Sequence, residues 1–167
     1  MTTTDYTVRH AFPCDDRNIA RLESICFPEA EAASAETIAS RVRAYPDNFT
    51  LVEYNGEIVS VVDGPVTLEK DLTDEMYFDT SFHTDNGDWQ MIFGVETHPS
   101  HRRKGVAELA LHSFLEYARS IGCKGAVLTC KEELIHYYAK FGFINEGVSS
   151  SVHGGVVWYQ MRLIFPT

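Results

Sequence analysis

The stretch His98-Pro99-Ser100-His101-Arg102-Arg103-Lys104-Gly105-Val106-Ala107 gathers cationic side chains around a single glycine. It follows an apolar run, Met91-Ile92-Phe93-Gly94-Val95, and precedes an amphipathic segment over 106–121. Strand, basic turn and helix in that order make an anion site. The first N–H groups of a helix have no internal partner and lie at the positive end of its dipole. Gly105 has no Cβ to hold a phosphate away from them. The implied chemistry is the binding of a phosphate-bearing ligand. Neither G-x-x-x-x-G-K-[ST] nor G-x-G-x-x-G occurs, so neither common nucleotide motif is its source.

Glu96 lies on the strand before the turn, and Tyr138 on a helix expected over 132–141, where a buried core tyrosine is one reading. His98 and His101 stand three apart, but Pro99 between them keeps them off a helix, and His101 is placed to help neutralise phosphate. The segment 69–88 carries Asp71, Asp74, Glu75, Asp79, Asp85 and Asp88 beside Met76, Tyr77, Phe78 and Phe82. It reads either as a surface excursion pinned by its aromatics or as a loop facing a ligand with an ammonium and an apolar body. His83 in this segment lacks the ligand spacing of a metal site, and no metal is expected.

These residues need a scaffold. Glu108, His112, Glu116 and Arg119 form one polar stripe over 106–121, while Leu111, Phe114, Leu115 and Ala118 cover much of the remainder, so this helix packs on a sheet. A short strand is expected over 6–10, then a helix capped by Asp15 or Asp16 and ended by Phe27-Pro28. A second helix starts at Ser34. Strands over 48–54 and 57–68 join across Asn55-Gly56, a hairpin signal. Further strands are expected over 90–97, 125–130, 143–148 and 156–165. The pattern is a mixed α/β (α+β) domain.

The chain has 167 residues, 44% hydrophobic and 23% charged, which is globular composition and length for one domain. Its net charge of −10 argues against general nucleic-acid binding, which needs a basic face. An acidic surface instead favours cationic partners, although solubility alone would also account for it. No apolar run approaches the roughly 18 residues of a membrane helix, and residues 1–5 carry no secretory pattern. Cys14, Cys26, Cys123 and Cys130 form no C-x-x-C pair, which reads as free thiols and a cytoplasmic location.

Arg102-x-x-Gly105-x-Ala107 resembles the R/Q-x-x-G-x-G/A signature of the GNAT superfamily of acetyl-CoA-dependent N-acetyltransferases. Leu134-Ile135-His136-Tyr137-Tyr138-Ala139-Lys140-Phe141-Gly142-Phe143 resembles a second landmark of that family, a helix with a tyrosine before the G-F that enters the next strand. Cys26-Phe27-Pro28, Leu128-Thr129-Cys130-Lys131, and His153-Gly154-Gly155 with Trp158-Tyr159 resemble the arylalkylamine (serotonin) N-acetyltransferase-like branch. The resemblance covers most of the chain. It implies one domain over 1–167, with a mixed sheet splayed around an acyl-CoA cleft and about four flanking helices.

The resemblance also implies roles. The backbone of Val95, Glu96 and Thr97 would hold the acetyl-pantetheine arm. The turn through Arg103, Lys104, Gly105, Val106, Ala107 and Glu108 would cradle the pyrophosphate, with Arg102 and Lys104 adding electrostatics. Tyr138 would be the general acid for the departing thiolate. The two histidines of the animal arylalkylamine enzymes fall at Met91 and Phe93, which accept no proton. Glu96 is then the candidate base, with His153, His83, Glu75 or water as alternatives. Phe27, Pro28 and His153 are candidate amine-pocket residues, and packing of the helix end is the other role for Phe27 and Pro28. The implied function is acetyl transfer from acetyl-CoA to a small primary amine. Protein or peptide N-acetylation and a non-catalytic CoA-binding sensor are the alternatives, and monomer and homodimer both stay open.

Overall fold

The computed structural model describes residues 5–167. Strand β1 (Tyr6–Arg9) is followed by helices α1 (Asp16–Cys26) and α2 (Ala35–Ala44). The carboxylate of Asp15 does not cap α1; it accepts from the Phe12 N–H at 2.6 Å and pairs with Arg9 at 2.7 Å. α1 ends at Phe27, whose extended backbone before Pro28 cannot continue a helix. Ser34 caps α2 by accepting from the Thr37 N–H at 3.1 Å. Strands β2 (Phe49–Tyr54) and β3 (Glu57–Asp63) join through Asn55 and Gly56, both left-handed at φ 52° and 80°. That is the backbone a two-residue hairpin needs.

Two strands expected to be continuous are each broken, and at the same level. The segment expected over 57–68 divides into β3 and β4 (Val66–Thr67) around Gly64-Pro65. The one expected over 90–97 divides into β5 (Trp89–Ile92) and β6 (Gly94–Thr97) around Phe93. The cause is local. A Cβ on Gly64 would lie 1.8 Å from the Met91 carbonyl oxygen, so the backbones approach more closely than a regular ladder allows. Pro65 has no N–H to give. The fully buried Gln90 amide takes over, donating to the carbonyls of Gly64, Pro65 and Met91 at 2.8, 3.2 and 2.9 Å.

The bent ribbon therefore belongs to two sheets. One has the order β1-β2-β3-β6. The other is β4-β5-β7-β9-β8, with β7 (Gly125–Cys130), β8 (Ile144–Val148) and β9 (Tyr159–Ile164). β5 and β7 are parallel over Trp89–Ile92 and Gly125–Leu128, and beyond them β6 follows β3 while Thr129 and Cys130 pair with β9. The sheets part there. β9 starts at Tyr159, later than the 156–165 reading, because residues His153–Gly155 form a tight turn; it lies inside the sheet, and β8 is the edge.

Helices α3 (Val106–Ser120) and α4 (Ile135–Ala139) cover one face. Leu111, Phe114 and Tyr138 pack there with Val52, Val62, Ile92 and Leu128. On the other face, Ile19 and Leu22 of α1 and Ile38 and Val42 of α2 meet Leu51 and Val61. The acidic segment over 69–88 completes that second face, with Leu72 and Met76 buried on Met91 and Val127. Its aromatics do pin it, although Phe78 remains exposed. Among the described residues no helix is long and apolar enough to cross a membrane.

Candidate active site

The parting of β6 from β7 opens a cavity of about 590 Å³ beside the N-terminus of α3. Its floor is the backbone edge of Val95, Glu96 and Thr97, which has no partner strand on that side. The turn into α3 closes one end. Arg103 and Gly105 are both left-handed, at φ 62° and 78°. Such alternation turns successive N–H groups inward, a concavity suited to anions. The first helical bond runs from the Leu109 N–H to the Gly105 carbonyl, leaving the N–H groups of Val106, Ala107 and Glu108 directed out of the helix end. This geometry fits a pyrophosphate.

The cationic side chains play unequal parts. Arg102 donates from Nε to the Thr97 carbonyl at 3.1 Å, which also accepts from Cys26 Sγ at 3.4 Å. Arg102 thus anchors the end of β6 while lining the cavity. Lys104 donates to the Ser100 carbonyl at 3.1 Å and does not line it. His101 lines the cavity but is held by the Tyr6 hydroxyl at 2.9 Å and packs edge-on to Tyr6. Burial, then Lys104, lowers its pKa, so it offers a hydrogen bond rather than charge.

Tyr138 stands on the opposite wall, 8% exposed, with its ring edge-on to Tyr137 and Phe143. Burial, then the neighbouring Tyr137 and Cys130, pushes its pKa far up, so the phenol is protonated at neutral pH. Tyr137, its neighbour on α4, lines the cavity too, its pKa pushed up to about 12 by burial and then Glu108. The Leu134 side of the wall was also missed.

Strand alternation separates two faces of β6. Val95 packs with the α3 core, whereas Glu96 points toward α1. There, Glu23 of α1, Arg41 of α2 and Asp63 of β3 form a buried group with it, none more than 6% exposed. Arg41 pairs with Asp63 at 3.7 Å and lies 4.7 Å above the Phe93 ring. Burial pushes the Asp63 carboxyl up to about 7 despite the guanidinium. Glu96 is likewise raised, first by burial and then by Glu23. This group was not singled out in the sequence. Its signal was a charged residue on each apolar stripe, Glu23 after Ile19 and Leu22, and Arg41 after Ile38.

The remaining candidates scatter. Phe27 lines the cavity, but Pro28 instead shapes the turn after α1, its carbonyl accepting from Glu31 and Ala32 at 2.9 Å. His153 stacks on Tyr77 at 5.1 Å, with Nε2 2.9 Å from the Glu31 carbonyl. Tyr77 in turn packs on Phe93 at 4.6 Å, so the segment over 69–88 does reach this face. His83 is occupied elsewhere, accepting at Nδ1 from the Val66 N–H and meeting Asp85 at Nε2. Glu75 is exposed. Met91 is buried core.

Residues 17–143 match the family described as "Acetyltransferase (GNAT) family". The chain is 26% identical over 98 residues to a probable glucosamine 6-phosphate N-acetyltransferase 2 of Oryza sativa subsp. japonica, covering 58% of this chain and 59% of that protein. The match thus spans about three fifths of the curated relative's length. The fold is similar to the loading GNATL domain of CurA from Lyngbya majuscula, with a TM-score of 0.82, 18% identity and coverage of 95% and 97%. It is also similar to the GphF GNAT-like decarboxylase in complex with isobutyryl-CoA, with a TM-score of 0.81, 18% identity and coverage of 95% and 98%.

Proposed function

The chain belongs to the acetyltransferase (GNAT) family, and we propose that it transfers the acetyl group of acetyl-CoA to a small primary amine by direct attack on the thioester. The observation that carries this reading is one cleft in which the anion-binding turn, the unpaired edge of β6 and Tyr138 all converge. In this reading the N–H groups after Gly105 receive the pyrophosphate. The edge of Val95–Thr97 lies along the pantetheine arm, and backbone donors there polarise the thioester carbonyl.

Tyr138 then faces the sulfur. A phenol of raised pKa donates a hydrogen bond readily and a whole proton reluctantly. The same dry wall raises the pKa of the departing thiol, so the proton moves as the C–S bond breaks. Glu96 is the base in this reading, because it lines the cavity and carries the carboxylate of β6. Phe27 supplies an apolar wall, and Cys26-Phe27-Pro28 and His153-Gly154-Gly155 support an arylalkylamine-type acceptor by resemblance.

The reading is tested by following CoA release and acetylated product over small amines, the amino-sugar phosphate of the rice relative, and peptides. Amine-dependent release with acetylated small amine is expected. Acetylation of peptides alone would support the protein or peptide reading. CoA binding without acetylation of any acceptor would support a sensor.

A further inference from the structure

We infer that Tyr6 is a positioning residue for the donor: its hydroxyl, hydrogen-bonded to His101 Nδ1, sets the imidazole so that its Nε2–H meets a pyrophosphate oxygen of acetyl-CoA. This rests on the acetyl-CoA reading and goes beyond it, because Tyr6 belongs to β1 and lies outside the cleft.

The first observation is the clamp on the ring. Tyr6 and Tyr54 are cross-strand partners on β1 and β2, with ring centroids 5.2 Å apart. The His101 imidazole packs against both, 5.7 Å from Tyr6 at 82° and 5.2 Å from Tyr54 at 55°. Two rings from the first two strands thus hold a side chain that belongs to the turn before α3. The Tyr6 hydroxyl settles the rest, since a flip of the ring would break its 2.9 Å bond to Nδ1. A turn histidine in water would ordinarily sample several rotamers. His98 is used differently, its Nδ1 accepting from the Ser100 N–H at 3.1 Å within the turn itself.

The second observation is which nitrogen carries the hydrogen. Tyr6 is buried, and burial, then Tyr54 and Asp5, raise its pKa, so the phenol keeps its proton at neutral pH. The imidazole is faced by Tyr6 from β1, Tyr54 from β2 and Glu57 from β3, and by Lys104 and His98 of its own turn. Burial, then Lys104 and His98, keep it neutral there. A phenol that donates to a neutral imidazole must meet the bare nitrogen, so Nδ1 accepts and Nε2 holds the hydrogen.

The third observation is what that hydrogen meets. Among the described residues Nε2 has no hydrogen-bond partner. The ring lines the cleft beside Arg102, Arg103 and Gly105, at its anion-binding end. Arg102 and Lys104 are engaged with the Thr97 and Ser100 carbonyls. A neutral N–H adds direction where these cations add field, and a hydrogen bond to an ionised oxygen is about twice as strong as one between neutral groups.

The test uses the full chain and titration calorimetry with acetyl-CoA. His101→Ala should weaken binding about tenfold, the scale of one hydrogen bond to a charged group, and Tyr6→Phe, which keeps the ring, about threefold. Added to His101→Ala, Tyr6→Phe should change nothing more, because Tyr6 acts through the imidazole. Both single variants should raise KM for acetyl-CoA and hold kcat within about twofold. Nitrogen-15 resonances of the unaltered protein at neutral pH should show His101 protonated at Nε2 and bare at Nδ1. His101→Ala should cost 3′-dephospho-CoA as much affinity as it costs CoA. A Tyr6→Phe loss that persists beside His101→Ala, as a purely structural role would give, overturns the inference. So does unchanged affinity in both single variants, an Nδ1–H tautomer, or a His101 effect that disappears with 3′-dephospho-CoA. Each of these leaves acetyl transfer standing, and the resonances decide even where a variant does not fold. Failure of the unaltered chain to bind acetyl-CoA overturns the proposed function beneath it.

Discussion

Tyr138 lines the cleft and Gly94 opens β6 beside the Glu96 carboxylate, and they matter in opposite ways, one by what its side chain offers and one by lacking a side chain. Burial keeps the Tyr138 phenol protonated, so on the proposed reaction removing its hydroxyl takes away a donor to the leaving sulfur while keeping the ring packing on Phe143. Tyr138→Phe is expected to lower kcat on the order of 100-fold with acetyl-CoA affinity nearly unchanged, measured by steady-state kinetics and titration calorimetry. At Gly94 a methyl would press on Glu96 Oε1. Gly94→Ala should therefore displace the Glu96 carboxylate and lower kcat/KM for amines about tenfold while leaving acetyl-CoA binding intact; equal loss of both would deny Glu96 its proposed role as base. The donor residues were legible because their types cluster in sequence. Glu23, Arg41 and Asp63 were not, because a single charge on an apolar stripe acquires meaning only when three elements bring such charges together.

At the scale of elements, two local breaks make the cleft. The turn into α3 depends on a left-handed Gly105, and any Cβ there costs about 1–2 kcal/mol. Gly105→Ala should weaken acetyl-CoA binding about tenfold by isothermal titration, with the thermal midpoint little changed. The bend of the ribbon at Gly64 and Phe93 depends on Gln90, whose amide satisfies three carbonyls. Gln90→Leu removes this donor from the Gly64 and Met91 carbonyls, while the Pro65 carbonyl keeps the Met91 N–H, and should cost about 3 kcal/mol in urea unfolding; a neutral result would mean the bend holds itself. Periodicity reads an alternating run as one strand. It has no signal for a strand that changes sheets, since side chains on both sides of the bend keep their alternation.

For the molecule as a whole, the burial of acidic side chains makes stability depend on pH. Asp63 titrates near 7 when folded, against about 3.9 unfolded. Between those values the folded chain holds a proton that the unfolded chain has lost, so this contribution is complete below about pH 4 and lost as pH rises through 7. Asp63→Asn should flatten the pH dependence of urea unfolding across that window; an unchanged slope would assign it to another group. The net charge of −10 and the cationic turn were plain in composition and order. So were the hairpin, the amphipathic α3 and the landmark carrying Tyr138, because each is a local property of neighbouring residues. Those features determined the family and the turn at the end of the cleft. Only tertiary structure decided where β6 leaves β7, which face of β6 Glu96 takes, and which carboxylates meet it. These are contacts across tens of residues, such as Glu23 with Glu96, and no local pattern encodes how separate elements pack.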